Sequence, residues 1–460
     1  ALHTPPPGYD QASGWPAEDG VVLSQTSALT STLLEFALRR SGWPATAVNW
    51  LAQGLSDELR ADDPALAQAI EARYMPLLLQ ADAGQVLWPV EQMPNGYELS
   101  GDKRELWAAQ AWAMTYYLLQ TGGWAALRQP SLATADAWRT ALLDPWRAAA
   151  QGIQDTLAQR SQAVLSQDKE AFLSTVDATN PVFYQEETHW FEDLLSHPAE
   201  AFSMETQLLS LQGNQASAQL TMKYRLAEAG STLDTVSWRG RFVQRDGHWL
   251  YADVDFAEEH SEHFILQYTE PAQGSYARQL LSEAERAYAQ ISSDLDFHPA
   301  QPVEIKLYYQ SDLFRTSIFL SMPQARGWTE PGESIKLNTE EWDVASPVGA
   351  GRIIAHELAH QALFARGVQH DGVHEGTSQY EAALYDPQWL AQQVGKWRQQ
   401  VYDLVRSQRP ITLATLTNWR ELRKQDPDLI YTVGWDTITY FRRRFSRDTF
   451  LEWLDLLGTE

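Results

Sequence analysis

The run 352–364 constrains this chain more than any other stretch, because it sets His-Glu-x-x-His within a series of good helix formers. No Gly or Pro interrupts the run, so it predicts a continuous helix. Residues four apart lie on one helical face, and His356 and His360 can therefore present two imidazoles to a single metal ion. Glu357 lies one step round the helix, close enough to polarise a water at the metal without binding the metal itself. The alternative is a buried helix whose two histidines are satisfied within the core.

A third ligand is needed, because a catalytic zinc site usually takes three protein ligands and leaves one position for water. A third His six residues after the second is excluded, since Arg366 stands at that place. Glu375 follows His360 after fourteen intervening residues, which is enough for the helix to end near Gly367, turn and give way to a second helix. His374, the neighbour of Glu375, is a rival candidate for the third ligand.

The run from Glu375 to Tyr380 has the form Glu-Gly-x-x-x-Tyr. It resembles the Glu-Gly-x-Ala-x-Tyr signature of gluzincin metallopeptidases, specifically the peptidase MA-like group. The resemblance implies Zn²⁺ held by His356, His360 and Glu375, with Glu357 as the general base toward a metal-activated water. It also implies hydrolysis of peptide bonds, so the expected partner is a peptide or protein substrate.

Two further site residues are predicted from the helices that follow. The run 431–436 resembles the C-terminal helix of the same family, and Tyr431 is the predicted hydrogen-bond donor to the tetrahedral oxyanion. Ala108 occupies the matching place in an internal repeat that lacks the metal ligands, which favours a functional role for this tyrosine. Gln379 lies four residues after the Glu ligand on the same helical face, where it is predicted to orient His356 from outside the ligand set. Other gluzincin groups favour a carboxylate at that position.

Composition bounds the remaining possibilities. At 460 residues the chain suits two to four domains. A formal net charge of -25 argues against nucleic acid or an anionic membrane surface as a partner. There is no run of about 18 apolar residues, so no transmembrane segment is predicted. Cysteine is absent, which excludes disulfides, cysteine nucleophiles and thiolate metal sites.

The chain begins Ala-Leu-His-Thr-Pro-Pro-Pro. A Pro-rich start without Met fits a mature exported protein from which a leader has been removed, so the predicted location is extracytoplasmic or secreted. The sequence leaves the oligomeric state open.

The predicted fold class is α+β and multidomain, with domains at 1–145, 146–257 and 258–460. Residues 1–20 are predicted to be an extended lead-in. The rest of the first domain is predicted to be mostly helical, because its apolar residues recur at three- and four-residue spacing. The predicted helices are Ser27–Arg40, Ala45–Leu59, Ala65–Leu79 and Lys103–Thr121.

An internal repeat relates this helical region to the C-terminal region. In the matching register Gln53 falls opposite Glu375, and Tyr117 falls opposite Tyr440, which is therefore predicted to be structural. The first copy is predicted to be a degenerate peptidase MA-like copy that keeps the helices and lacks every metal-binding group. Leu29, Thr30 and Leu33 fall opposite His356, Glu357 and His360, and Leu87, Val90 and Met93 fall opposite Leu413, Leu416 and Trp419.

The other two domains are predicted from their strand patterns. In 146–257, helices precede long alternating strands. This order, with Trp190-Phe191 and a terminal hairpin at 247–251, resembles the SnoaL-like, nuclear-transport-factor-like cone fold, here with a spacer or packing role. In 258–460 a zincin-like domain is expected, with a small sheet before the metal helix. The segment Ile335–Asn338 is the predicted edge strand, which would bind a peptide substrate by β-augmentation or be an ordinary edge.

Two functions follow from these observations. The first is a zinc-dependent metallopeptidase. The alternative is an extracytoplasmic binding or scaffold protein whose metal site is vestigial or structural. The fourth coordination position separates them: it is open to water in an enzyme, and filled by His374 or His370 in a structural site.

Overall fold

A computed structural model describes residues 14–17, 20–23, 29–61, 64–126, 137–227, 232–270, 273–322, 325–341, 345–406 and 429–459. The described residues combine many helices with separate β-sheets, so the predicted α+β class is confirmed. The chain divides into two compact units. The boundaries predicted for three domains stay a prediction. The first unit comprises Ala1–Leu157, Glu205–Leu220 and Arg241–Leu250, and the second Ala158–Met204, Thr221–Gly240 and Tyr251–Glu460.

The N-terminal region is mostly helical, as predicted. A short antiparallel hairpin comes first, formed by β1 (Gly14–Ala17) and β2 (Gly20–Leu23). Helix α2 begins after Pro44 and buries Val48, Leu51 and Leu55, which recur at three- and four-residue spacing. The helices are α1 (Leu29–Arg40), α2 (Ala45–Arg60), α3 (Pro64–Ala83), α4 (Gly101–Ala126) and α5 (Asp144–Ser166).

The middle region contains two short helices and a four-stranded sheet in the order β3-β4-β5-β6. Asp246 and Gly247 both have positive φ, 50° and 82°, and they form the tight turn between the last two strands. The elements are α6 (Lys169–Leu173), α7 (Pro181–Ser196), β3 (Ala199–Gln212), β4 (Gln215–Leu226), β5 (Asp234–Arg245) and β6 (His248–Val254).

A sheet of five strands precedes the helix that carries the His-Glu-x-x-His run, in the order β10-β11-β9-β8-β7. Strands β8, β9 and β11 are parallel, and β7 and β10 pair antiparallel at the two ends. The strands are β7 (Ala257–His260), β8 (Phe264–Tyr268), β9 (Val303–Tyr308), β10 (Gly327–Trp328) and β11 (Ile335–Asn338).

The prediction that Ile335–Asn338 is the edge strand was wrong. This strand lies between β9 and β10, and all four of its residues are buried. The edge is instead the two-residue strand β10, which is too short to show an alternating pattern in the sequence.

Seven helices are described in the C-terminal region. Ile305, Leu307 and Leu337 of the sheet share a hydrophobic core with Ile354 and Leu358 of the helix that carries the His-Glu-x-x-His run. The predicted helix Thr412–Lys424 and the repeat positions Leu413, Leu416 and Trp419 lie outside the described residues. The helices are α8 (Gly274–Leu295), α9 (Ser311–Ile318), α10 (Pro347–Ala365), α11 (Asp371–Tyr385), α12 (Pro387–Arg406), α13 (Leu429–Arg444) and α14 (Arg447–Leu457). Over the part of the chain described, no helix is both long and apolar enough to cross a membrane.

The packing of the two helical regions agrees with the proposed repeat. Helix α2 packs between α1 and α4, and α11 packs between α10 and α13. A Cβ added at Gly54 on α2 would lie 2.5 Å from the carbonyl oxygen of Ala111 on α4. At the matching place, a Cβ on Gly376 of α11 would lie 2.7 Å from the backbone of Gly434 on α13.

An aromatic pair recurs in the same register. The rings of Tyr74 and Trp112 are 5.8 Å apart, and those of Trp397 and Trp435 are 5.2 Å apart. At the places of the candidate metal ligands in the second copy, the first copy has Leu33, which is 47% exposed, and Gln53, which donates to Asp57 Oδ2 across 3.0 Å. The side chain of Leu29 lies outside the described residues. That the first copy is a degenerate peptidase stays a prediction.

Candidate metal centre

Helix α10 carries the first two candidate ligands. Its first turn is capped by Ser346, whose Oγ accepts from the Gly349 N–H at 3.1 Å, and Pro347 occupies the first helical position. The helix ends at Ala365, and Gly367 follows with a positive φ of 78°. The continuous helix predicted over 352–364 is therefore present, with one face in the core and the other toward a cleft.

Helix α11 brings Glu375 to the same place. The glycine after it, Gly376, lies against Gly434 of α13, so closely that a Cβ on Gly376 would be 2.7 Å from the Gly434 carbonyl carbon. This close approach of two backbones requires Gly at both positions, because any side chain would separate the helices. The Glu-Gly pair thus combines a candidate ligand with the glycine that allows its helix to pack closely against α13.

The three predicted ligands converge. One ligand atom each from His356, His360 and Glu375 lie within 4.8 Å of one another, and no other such group of His, Cys, Asp or Glu is found in the described ranges. The two imidazole Nε2 atoms are 3.2 Å apart. Glu375 Oε2 lies 3.4 Å from His356 Nε2 and 3.7 Å from His360 Nε2.

These distances fit a tetrahedral cation. Zinc bonds of 2.0–2.2 Å at tetrahedral angles place neighbouring ligand atoms about 3.3–3.6 Å apart. The three observed separations scatter around that range. Two imidazoles and one carboxylate are also a donor set that catalytic zinc sites use. The residues present therefore fit a zinc ion.

Burial sets the protonation of the site. Burial, together with the nearby Arg352 guanidinium, lowers the pKa of His356 to about 3, against hydrogen bonds that act to raise it. Burial likewise lowers the pKa of His360 well below its usual value. Both imidazoles are therefore neutral at physiological pH, as metal ligation requires. Burial, then Glu375 and Glu330, raise the pKa of Glu357 well above that of an ordinary glutamate.

Residues of helix α11 contact both histidines of the candidate ligand group. The His356 ring hydrogen-bonds the side chain of Gln379 and the backbone carbonyl of Ser378, so Gln379 lies where the sequence predicted it. His374 does not join the ligand group. Its Nδ1 lies 3.1 Å from His360 Nδ1, and its Nε2 lies 2.8 Å from the Val368 carbonyl oxygen.

The idea that His374 is a rival ligand neglected a signal in the sequence. Adjacent residues on a helix point about 100° apart, so His374 and Glu375 leave α11 in different directions. In the structure His374 contacts His360 and the Val368 carbonyl and is not part of the ligand group.

A cleft of about 690 Å³ opens over the three ligands. One side is the segment around β10, including Gly327, Thr329 and Glu330, and the other includes Trp389 and Lys396 of α12. Gln361 of α10 holds the β10 side of the cleft in place. Its Nε2 donates to Thr329 Oγ1 at 3.3 Å and to the carbonyl oxygen of Glu333 at 3.1 Å.

Gly327 brings the edge strand close to the predicted base. A Cβ at this position would lie 2.6 Å from Glu357 Oε1 and 2.6 Å from Ile353 Cγ2. Sequence reasoning missed this residue, because the contact joins a two-residue strand to a helix far along the chain.

The three candidate tyrosines have different positions. Tyr431 lines the cleft, with its ring centroid 6.3 Å from that of His356. Tyr440 is 60% exposed and does not line the cleft, and its structural role stays a prediction. Tyr380 packs beside Trp397 and Trp435.

Comparisons with known proteins give no relative: no family model, no curated protein and no solved structure matches this chain.

Proposed function

We propose that this protein is a zinc-dependent metallopeptidase, a gluzincin similar to the peptidase MA-like group, that acts on peptides or proteins. The observation that carries the proposal is the triangle of His356 Nε2, His360 Nε2 and Glu375 Oε2, with sides of 3.2, 3.4 and 3.7 Å. Neutral imidazoles with a carboxylate, at the base of an open cleft, match the needs of catalytic zinc better than those of a core packing site.

The chain's own residues have distinct roles in this proposal. A zinc ion held by the three ligands would supply Lewis-acid activation of water and of the peptide carbonyl. Glu357 would accept the proton of the attacking water and deliver it to the leaving amine. Tyr431 would donate its hydroxyl to the carbonyl oxygen as negative charge develops there.

The edge strand β10 gives the substrate a place to bind. It pairs with β11 on one side and is the last strand in the order of the sheet. An extended peptide adding to this edge would pass over Glu357, because Gly327 lies against that carboxylate. The role first assigned to Ile335–Asn338 thus belongs to β10.

The alternative function, a binding or scaffold protein with a structural metal site, would fill the fourth coordination position with a protein ligand. His374 is engaged at both ring nitrogens, with His360 and with the Val368 carbonyl, which disfavours it as that ligand. This engagement favours the peptidase.

The test combines metal analysis with digestion of a broad peptide library. We expect about one zinc per chain, lost in His356→Ala, and cleavage that a chelator abolishes and added zinc restores. Stoichiometric zinc in the His356→Ala variant would put the site elsewhere. Stoichiometric zinc in the wild type without cleavage of any library peptide would favour a structural site.

A further inference from the structure

We propose that His374 is a positioning residue that fixes the tautomer of His360, so that the Nε2 lone pair of His360 faces the metal site. The inference rests on the proposed function only in taking His356, His360 and Glu375 as the ligand set. It assigns to this chain a histidine-to-histidine relay, in a place where metal-ligating histidines more often contact a carboxylate, a carbonyl or water.

The positions of the hydrogen atoms in the relay follow from the Val368 carbonyl oxygen, which can only accept. The Val368 carbonyl oxygen accepts and cannot donate, so the hydrogen in the 2.8 Å contact belongs to His374 Nε2. Neutral imidazole carries one ring hydrogen, and His374 Nδ1 is therefore an acceptor. Placing a second hydrogen on this ring would make a cation of a side chain that is only 6% exposed.

The tautomer of His360 follows from that of His374. Only one hydrogen fits between two nitrogens 3.1 Å apart, and since His374 Nδ1 accepts, His360 Nδ1 donates. His360 Nε2 then carries no hydrogen, and its lone pair is directed at the position bounded by His356 Nε2 and Glu375 Oε2. The opposite tautomer would put a hydrogen where a metal must bind.

Ring packing holds the relay in place. The planes of His360 and His374 are inclined by 14°, with centroids 5.4 Å apart, and Phe364 covers His374 at 4.5 Å. His374 also precedes Glu375 directly, so one turn of α11 supplies both a ligand and the residue that orients another ligand. His356 has its own contacts from the same helix, with Gln379 and the Ser378 carbonyl.

Zinc affinity, measured by competition with a chelator, tests the relay without reference to hydrolysis. His374→Phe keeps a flat ring but cannot accept from His360, and we expect its zinc affinity to fall about 10- to 100-fold. His374→Asn retains one acceptor and one donor, so its affinity should recover most of that loss. His298→Asn, at an exposed histidine that lies outside the ligand group and does not line the cleft, is the matched control and should bind zinc like the wild type.

The tautomer itself is the second readout. Two-bond ¹⁵N–¹H spectra of the metal-free protein should show His360 with its hydrogen on Nδ1 in the wild type and in His374→Asn. In His374→Phe this preference should be lost. A wild-type His360 protonated on Nε2, or equal zinc affinity in His374→Phe, would overturn the proposal.

The same two readouts separate this inference from the proposed function. If the wild type binds zinc, shows the predicted His360 tautomer and cleaves no peptide, the proposed peptidase function is contradicted and the relay is still supported. If Phe and Asn at position 374 both removed zinc as completely as His360→Ala, His374 would be a ligand, and the relay would be wrong while the peptidase could stand.

Discussion

Lys306 donates from Nζ to Glu186 Oε2 across 2.7 Å, and this contact joins the central strand β9 to helix α7 of the middle region. Lys306 is fully buried. Glu186 also accepts from the backbone N–H of Ser334 at 3.2 Å, next to the segment that borders the cleft. Burial would raise the pKa of Glu186, but the two buried lysines Lys306 and Lys336 lower it to about 2. Helix α7 of the middle region therefore packs against the sheet beside the candidate site, in line with the packing role that was one of the two predicted for this region.

Lys306→Met should destabilise the protein strongly. The substitution removes the cation that Glu186 and Asp253 share and leaves two buried carboxylates poorly compensated, at a cost of about 3–5 kcal/mol in the free energy of unfolding. Urea denaturation measures this loss. The exposed pair Arg225–Glu200 is the control, and Arg225→Ala should cost no more than about 1 kcal/mol. Equal effects of the two substitutions would refute a structural role for the buried network.

Gly376→Ala should both destabilise the protein and weaken zinc binding. Its Cβ would lie 2.7 Å from the Gly434 backbone, so α11 must move away from α13 and take Glu375 with it. We expect a loss of about 1–3 kcal/mol in the free energy of unfolding and a clear fall in zinc affinity.

The matched control for this change is Gly395→Ala. Gly395 is exposed within α12, and its added Cβ would meet no atom within 4 Å. That substitution should stabilise the helix by about 0.5–1 kcal/mol and leave zinc affinity unchanged. A Gly376→Ala protein that behaves like Gly395→Ala would contradict the close helix contact.

Glu381→Gln should stabilise the protein increasingly as the pH rises. Glu381 is fully buried on α11, and burial, with the neighbouring Asp294, raises its pKa well above that of an ordinary glutamate, against the opposing effects of Gln290 and Arg442. For a carboxyl group whose folded-state pKa is raised, the contribution to stability is complete below the unfolded pKa of about 4.3 and is lost as the pH rises through the folded-state pKa.

Thermal unfolding at several pH values checks this sign. Glutamine keeps the neutral shape at every pH, so the melting temperature of Glu381→Gln minus that of the wild type should be small at pH 5 and should grow toward pH 8. A difference that stays constant or shrinks over this interval would show that Glu381 is ionised in the folded protein.

Tyr431→Phe should lower the turnover number about a hundredfold or more, because one hydrogen-bond donor to the developing oxyanion is removed. Zinc content should not change, since Tyr431 is outside the ligand group. Steady-state hydrolysis of a library-derived peptide measures the effect, with the exposed Tyr440→Phe as control. If Tyr380→Phe alone lowered turnover, the donor would have been assigned to the wrong tyrosine.

Local spacing explains why the ligand helix could be predicted from the sequence. His356 and His360 share a helical face whatever surrounds them, and Glu375 follows at a distance that suits a turn and a second helix. The strands could not be ordered in this way. Whether Ile335–Asn338 is interior depends on pairing with β9 and β10, which are distant in the sequence or very short.

The direction in which a side chain points was the second feature that could not be predicted from the sequence. His374 resembles a ligand when only its place beside Glu375 is known, and the Val368 carbonyl that occupies its Nε2 belongs to the turn between two helices. Gly327 gave no signal at all, because its importance depends on a contact with Glu357 from another element.

The claim that Glu357 is the general base of a zinc peptidase is tested most directly by the hydrolysis rate of Glu357→Gln, measured at the same zinc content as the wild type. The substitution removes the proposed base without removing a ligand, so the purified variant should retain about one zinc per chain. Its turnover on a peptide that the wild type cleaves should fall about 10²- to 10⁴-fold. Wild-type turnover in a fully zinc-loaded Glu357→Gln protein would contradict the account, because proton transfer would then not depend on the residue beside the metal site.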